Sequence, residues 1–176
     1  QLVTLGEIQV ARGRLAEADA LFARALPLVD RFAGPGSTQA AWLLLRLGLV
    51  RLHLGRLGEA VAALERTLAL HDALPQVGLN DRLNLLGLLM EAVTKLHIDG
   101  TRAIKYGQRR LHLAAQVTDP GERAWYRAQT LANLGKCHTA NGDWATAAEH
   151  VEQGLGEVER VPPPRQLLVR FLLLEQ

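Results

Sequence analysis

One spaced set of residues recurs along this 176-residue chain, and it constrains the fold more than any other feature. The first copy is Leu5-Gly6, Gly13, Ala18, Phe22, Ala25 and Leu26. A shift of 42 residues reaches Leu47-Gly48, Gly55, Ala60, Leu64, Thr67 and Leu68. A further 43 reaches Met90-Glu91, Ile98, Ala103, Gly107, Arg110 and Leu111, a degenerate copy, and a further 44 restores Leu134-Gly135, Gly142, Ala147, Val151, Gly154 and Leu155. Self-similarity at such a period belongs to arrays in which each unit buries its apolar flank on the next.

The residue types describe a helical hairpin. Gly13, Gly55 and Gly142 fall between two helical patterns, where a tight turn favours a residue without a Cβ. Ala18, Ala60, Ala103 and Ala147 come early in each second helix and let two helices approach closely, while Phe22 and Leu64 fill the space beside that contact. Gly6, Gly48 and Gly135 sit inside first helices at a cost of roughly 1 kcal/mol each, which makes sense only if another helix packs on the backbone there. Composition agrees: 35 Leu and 25 Ala against 3 Ile and 8 aromatics leave too little for a sheet. Boundary signals add to this. Ser37 can cap after Ala33-Gly34-Pro35-Gly36, Asn80 can cap near Asp81, and Asp119-Pro120-Gly121-Glu122 offers a cap, a first-turn Pro and a Glu able to reach back. The patterns predict helices near 2–12, 15–32, 38–54, 57–72, 81–97, 101–117, 120–140, 144–160 and 164–175, with no strand.

The signature Leu-Gly, then Gly, then Ala-x-x-x-Phe with Ala-Leu beyond resembles the tetratricopeptide repeat (TPR). The period of 42 to 44 is longer than the usual one of about 34, and is similar to the long-helix variety of kinesin light chains and of sensor regions in large bacterial transcription activators. The signature tyrosine is replaced by Gln9, Arg51, Thr94 and His138. The resemblance implies an all-α, right-handed α-solenoid of antiparallel helix pairs in one domain, 1–176. Its repeats would span about 1–34, 37–76, 79–118 and 120–161, followed by an unpaired terminal helix, 164–176.

It also implies an inner groove lined by first helices. The positions carried over are Val3, Glu7 and Val10, then Leu45, Leu49, Leu52 and His53, then Leu88, Ala92 and Lys95, then Ala132, Asn133, Lys136 and Thr139. The family's Lys/Asn clamp for a C-terminal carboxylate needs basic and amide residues in the first two units, where leucines stand. Two readings of those leucines remain. Either they face an amphipathic helix or apolar peptide, with Lys95 and Lys136 meeting its acidic residues, or the longer helices shift the phase and they are core.

Other chemistry finds little support. A net charge of +2 exerts no strong pull on nucleic acid or anionic lipid. Cys137 is the single cysteine, so no internal disulfide forms. The apolar stretch Trp42 to Leu54 is interrupted by Arg46, Arg51 and His53, short of a membrane span. Gly135-Lys136 lacks the glycine and hydroxyl partners of a phosphate loop. Histidines 53, 71, 97, 112, 138 and 150 show no i, i+4 pair for a metal, and Cys137 and His138 are adjacent and diverge. Arg102, Lys105, Arg109 and His112 form a helical stripe that reads as a solvated face, and Trp42, Trp125 and Trp144 read as seals between repeats.

The expectation is therefore a non-enzymatic scaffold for proteins or peptides, with no cofactor or metal. The alternative is a ligand- or peptide-sensing domain of a bacterial signalling or transcription-regulatory protein. Gln1–Leu5 has neither initiator Met nor a basic leader, which suggests part of a longer cytoplasmic protein. The apolar run Leu167 to Leu174 suggests self-association through the terminal helix.

Overall fold

Among the described residues, three hairpins turn about the glycine that the repeat supplies. Gly13, Gly55 and Gly142 have φ of 73°, 72° and 76°, left-handed values that a side chain would resist. The computed structural model describes residues 1–96 and 100–174; His97, Ile98 and the end of the 164–176 segment lie outside the described residues. Among those described, regular structure is helical throughout, with no strand. The helices are α1 (Leu2–Ala11), α2 (Leu15–Phe32), α3 (Thr38–His53), α4 (Leu57–Ala73), α5 (Leu79–Leu96), α6 (Gly100–Ala114), α7 (Pro120–Ala140), α8 (Trp144–Val158) and α9 (Pro163–Leu174).

The contacts divide the chain into two units, Gln1–Gly78 and Leu79–Gln176. In the first, α1 packs on α2, α2 on α3 and α3 on α4. Gly6 and Gly48 explain why small residues interrupt first helices. A Cβ on Gly6 would collide with the Phe22 ring, and one on Gly48 would stand 2.6 Å from Leu64 Cδ2. Phe22, Leu43, Leu47 and Ala18 are enclosed in one core, where each large side chain contributes roughly 1.5–3 kcal/mol. Asp19, nearly buried at the turn end of α2, accepts from Arg51 Nε at 2.9 Å and from Arg56 at 2.6 Å. Glu7 on α1 receives both Nε and Nη2 of Arg46 on α3.

In the second unit, α5 packs on α6, α6 on α7, α7 on α8, and α9 lies against α7 and α8. The third repeat exchanges large for small. Gly107 occupies the register of Phe22 and Leu64, and the space is filled by Met90 and Leu134. Arg110 stands where the other copies have Ala25, Thr67 and Gly154, and Gly87 stands where they have Leu2, Leu44 and Leu131. The two exceptions fit together: a Cβ on Gly87 would lie 3.0 Å from the Arg110 guanidinium carbon.

Ser37 caps α3 by accepting from the Ala40 amide at 3.1 Å, and Asp119 caps α7 by accepting from the Glu122 amide at 2.7 Å. Several expectations need correction. Asn80 is not a cap, because α5 already begins at Leu79. Glu122 does not reach back; it pairs with Arg165 at 2.8 Å. Helix α6 ends at Ala114 rather than 117, the following turn burying Val117 against Leu83, Ala114 and Tyr126. Trp125 packs, partly buried, against the core with the Arg165 guanidinium over its ring, but Trp42 and Trp144 are 42% and 66% exposed and seal nothing completely.

Candidate functional site

The second unit holds a cleft of about 370 Å³ between α5, α7 and α9, lined by Glu91, Thr94, Lys95, Gln129, Asn133, Lys136 and Leu172. Helical spacing creates it. Gln129, Asn133 and Lys136 are four and three residues apart, so α7 presents them on one stripe, and Glu91 and Lys95 do the same on α5. Lys95 is held by Glu91 at 2.6 Å. Lys136 is half-buried and has no acidic partner among the described residues. Thr94 donates to the Met90 carbonyl at 2.7 Å, and its hydroxyl lies 3.3 Å from Cys137 Sγ. Cys137 is packed at 1% exposure, and burial pushes its thiol above the ordinary value, more than the Thr94 contact lowers it.

Behind the cleft lies Arg110, 2% exposed. Its Nε donates to the Leu83 carbonyl at 2.8 Å, one terminal nitrogen to Thr130 Oγ1 at 3.2 Å and the other to Gln129 Oε1 at 2.6 Å. The guanidinium also stands 5.5 Å from the centre of the Tyr126 ring. These acceptors are all neutral. A buried cation costs several kcal/mol in desolvation, and hydrogen bonds from a charged donor return about 1.5–3 kcal/mol each. Burial lowers its pKa to about 10, opposed by Tyr126, which leaves it protonated at neutral pH.

The groove positions implied by the sequence divide between the units. Lys95, Asn133 and Lys136 come together on the cleft, and Leu88 on α5 is half-buried. In the first unit Leu45 and Leu49 are half-buried, and His53 is exposed, its Nδ1 lying 2.8 Å from the Leu49 carbonyl. Leu52 and Ala92 are buried at 8% and 0% exposure, because their side chains are spent on packing, and they present no surface to a partner. Sequence reasoning passed over Gln129, Glu91 and Arg110. The paired exception of Gly87 and Arg110 in the repeat register was the available signal.

Among the described residues no three His, Cys, Asp or Glu side chains stand together as a metal set. No helix among them is long and apolar enough to cross a membrane. The stripe on α6 is solvated at Lys105, Arg109 and His112.

Family profiles described as tetratricopeptide repeat match residues 2–73 and again residues 128–153, together more than half of the chain. The chain belongs to the tetratricopeptide-repeat family. The solved structure of BtubC (BKLC) from P. vanneervenii is similar at 19% identity and a TM-score of 0.71, covering 89% of this chain. This chain spans 61% of BtubC. A Podosopora anserina putative kinesin light chain with nearly identical TPR-like repeats is similar at 18% identity and a TM-score of 0.73, over 89% of this chain and 72% of that one. At such identities the likeness shows the fold, a TPR-type α-solenoid. No curated protein is similar to the sequence at a significant level. TPR repeats generally mediate protein–protein interaction, and proteins built from them are typically non-catalytic scaffolds.

Proposed function

We propose that this TPR chain is a non-enzymatic scaffold that holds a peptide or an amphipathic helix of a partner protein along its first helices. The observation that carries the reading is Lys136, a half-buried ammonium lacking an acidic partner among the described residues, in a cleft beside Asn133 and Leu172. A partner with acidic residues beside apolar ones meets both chemistries there. Half-buried Leu45, Leu49 and Leu88 offer further apolar surface on the first helices of their own units.

Lys136→Glu tests this. It reverses one charge at a solvent-reached position, so the helical signal and melting temperature stay unchanged. Proteins captured by the wild-type chain from lysate of its source cells are compared with those captured by the variant. Loss of the captured set on Lys136→Glu supports the reading; an identical set sinks it.

A further inference from the structure

Among the described residues, all the exposed large apolar side chains except Trp42 lie either on the first hairpin or on α8 and α9. On the first hairpin, Leu28 and Phe32 line a groove of about 510 Å³ between α1 and α2, together with Leu2, Val3 and Val29. The repeat register tells what kind of body fits there. Val29 and Phe32 correspond to Val158 and Val161 of the fourth hairpin. Those two are 2% and 1% exposed, packed in one core with Ala124 and Ala128 of α7. Both alanines precede Leu131, the register partner of Leu2, so the cover there includes the flank of a helix that runs on into the rest of α7. In the first hairpin Val29 is only half-buried and Phe32 is 79% exposed. The groove therefore suits a helix lying in line with α1.

Helix α9 supplies such a body. Val169 and Leu173 hold it in place at 0% and 1% exposure, while Leu167, Phe171 and Leu174 are 78%, 58% and 75% exposed. Steps of four and three residues put those three on one stripe, the pattern by which a helix anchors in an apolar groove. We propose that the groove between α1 and α2 of one copy is the docking site for α9 of a second copy, with the stripe laid against Leu28, Val29 and Phe32. The areas suffice for this. Phe32 and Phe171 together bring roughly 250 Å² out of water, and the leucines, Val3 and Val29 about as much again. Apolar atoms are a little over half of an ordinary interface, so about 1,000 Å² is covered in all, where specific but weak association begins. Groove and stripe are unlike faces, so a copy whose groove is spoiled still has a stripe to offer. This assembly goes beyond the scaffold reading and does not depend on it.

Sedimentation of the full chain and of two variants tests this. Phe32→Glu spoils the groove and Phe171→Glu the stripe. Both positions are more than half exposed, so the helical signal and melting temperature stay those of the wild type. The wild-type chain is expected to associate as its concentration rises, and each variant alone to remain a monomer. An equimolar mixture of the two restores one pairing, the intact stripe of the Phe32→Glu chain in the intact groove of the Phe171→Glu chain. Its association stops at the dimer, because the remaining groove and stripe are both spoiled, and its limiting mass is twice that of either variant. Self-association of Phe32→Glu at wild-type strength means that α9 pairs with α9 or with another face, and overturns the proposal. A mixture that stays monomeric overturns it too, as does a wild-type chain that is monomeric at every concentration.

Discussion

Gly48 and Gly58 separate two uses of one residue type. A Cβ on Gly48 meets Leu64 Cδ2 and Cγ at 2.6 and 2.7 Å inside the core, whereas one on Gly58 meets nothing within 4 Å. Gly48→Ala is thus expected to destabilise by about 1–3 kcal/mol through overpacking, and Gly58→Ala to stabilise by about 0.4–1 kcal/mol through the unfolded state. Urea unfolding of the two variants checks both signs. His150 supplies a pH dependence. Its imidazole is held below its ordinary value, first by burial and then by His138, whose ring lies 5.2 Å away, while Glu149 and Asp143 pull the other way. The folded state therefore prefers the neutral ring. Its contribution is complete above about pH 6.5 and is lost as pH falls from there through the depressed folded value. Unfolding midpoints should drop between about pH 7.5 and about pH 5, and His150→Gln should reduce the drop. A drop of the same size in both proteins refutes the assignment.

The hairpins were legible because turn glycines, small packing residues and caps are local signals that agree with one another. The four alanines early in the second helices are buried at 0% to 4% exposure, as the repeat requires. Ser37 and Asp119 cap as their positions imply, and Ser37→Ala should cost about 1 kcal/mol, measurable by thermal unfolding. The candidate cleft was only partly legible. Lys95, Asn133 and Lys136 were reached through family positions, but Leu52 and Ala92, taken from the same register, are buried. Helical periodicity locates a face; it does not say how much of that face neighbouring helices cover. Gln129 was missed because its significance comes from Arg110, on a different helix, and tertiary contacts of that kind leave no period in the sequence.

At the scale of the whole molecule, α9 presents an exposed apolar face. Helix α9 packs through Val169 and Leu173, and leaves Leu167, Phe171 and Leu174 more than half exposed. Large exposed apolar residues in one short helix favour association, and concentration-dependent self-association through α9 is expected in sedimentation. Leu167→Asp with Phe171→Asp should yield a monomer at every concentration, and a wild-type chain that stays monomeric refutes the expectation. Gly87 and Arg110 carry a different consequence. Copies of one hairpin are attractive modules to duplicate, shuffle or replace by an averaged sequence. The third is not interchangeable in that way: a leucine grafted at 87 alone collides with the guanidinium, and a small residue grafted at 110 alone leaves a void. Anyone recombining these hairpins must transfer α5 and α6 as a matched set, together with the Gln129 and Thr130 of α7 that receive the arginine.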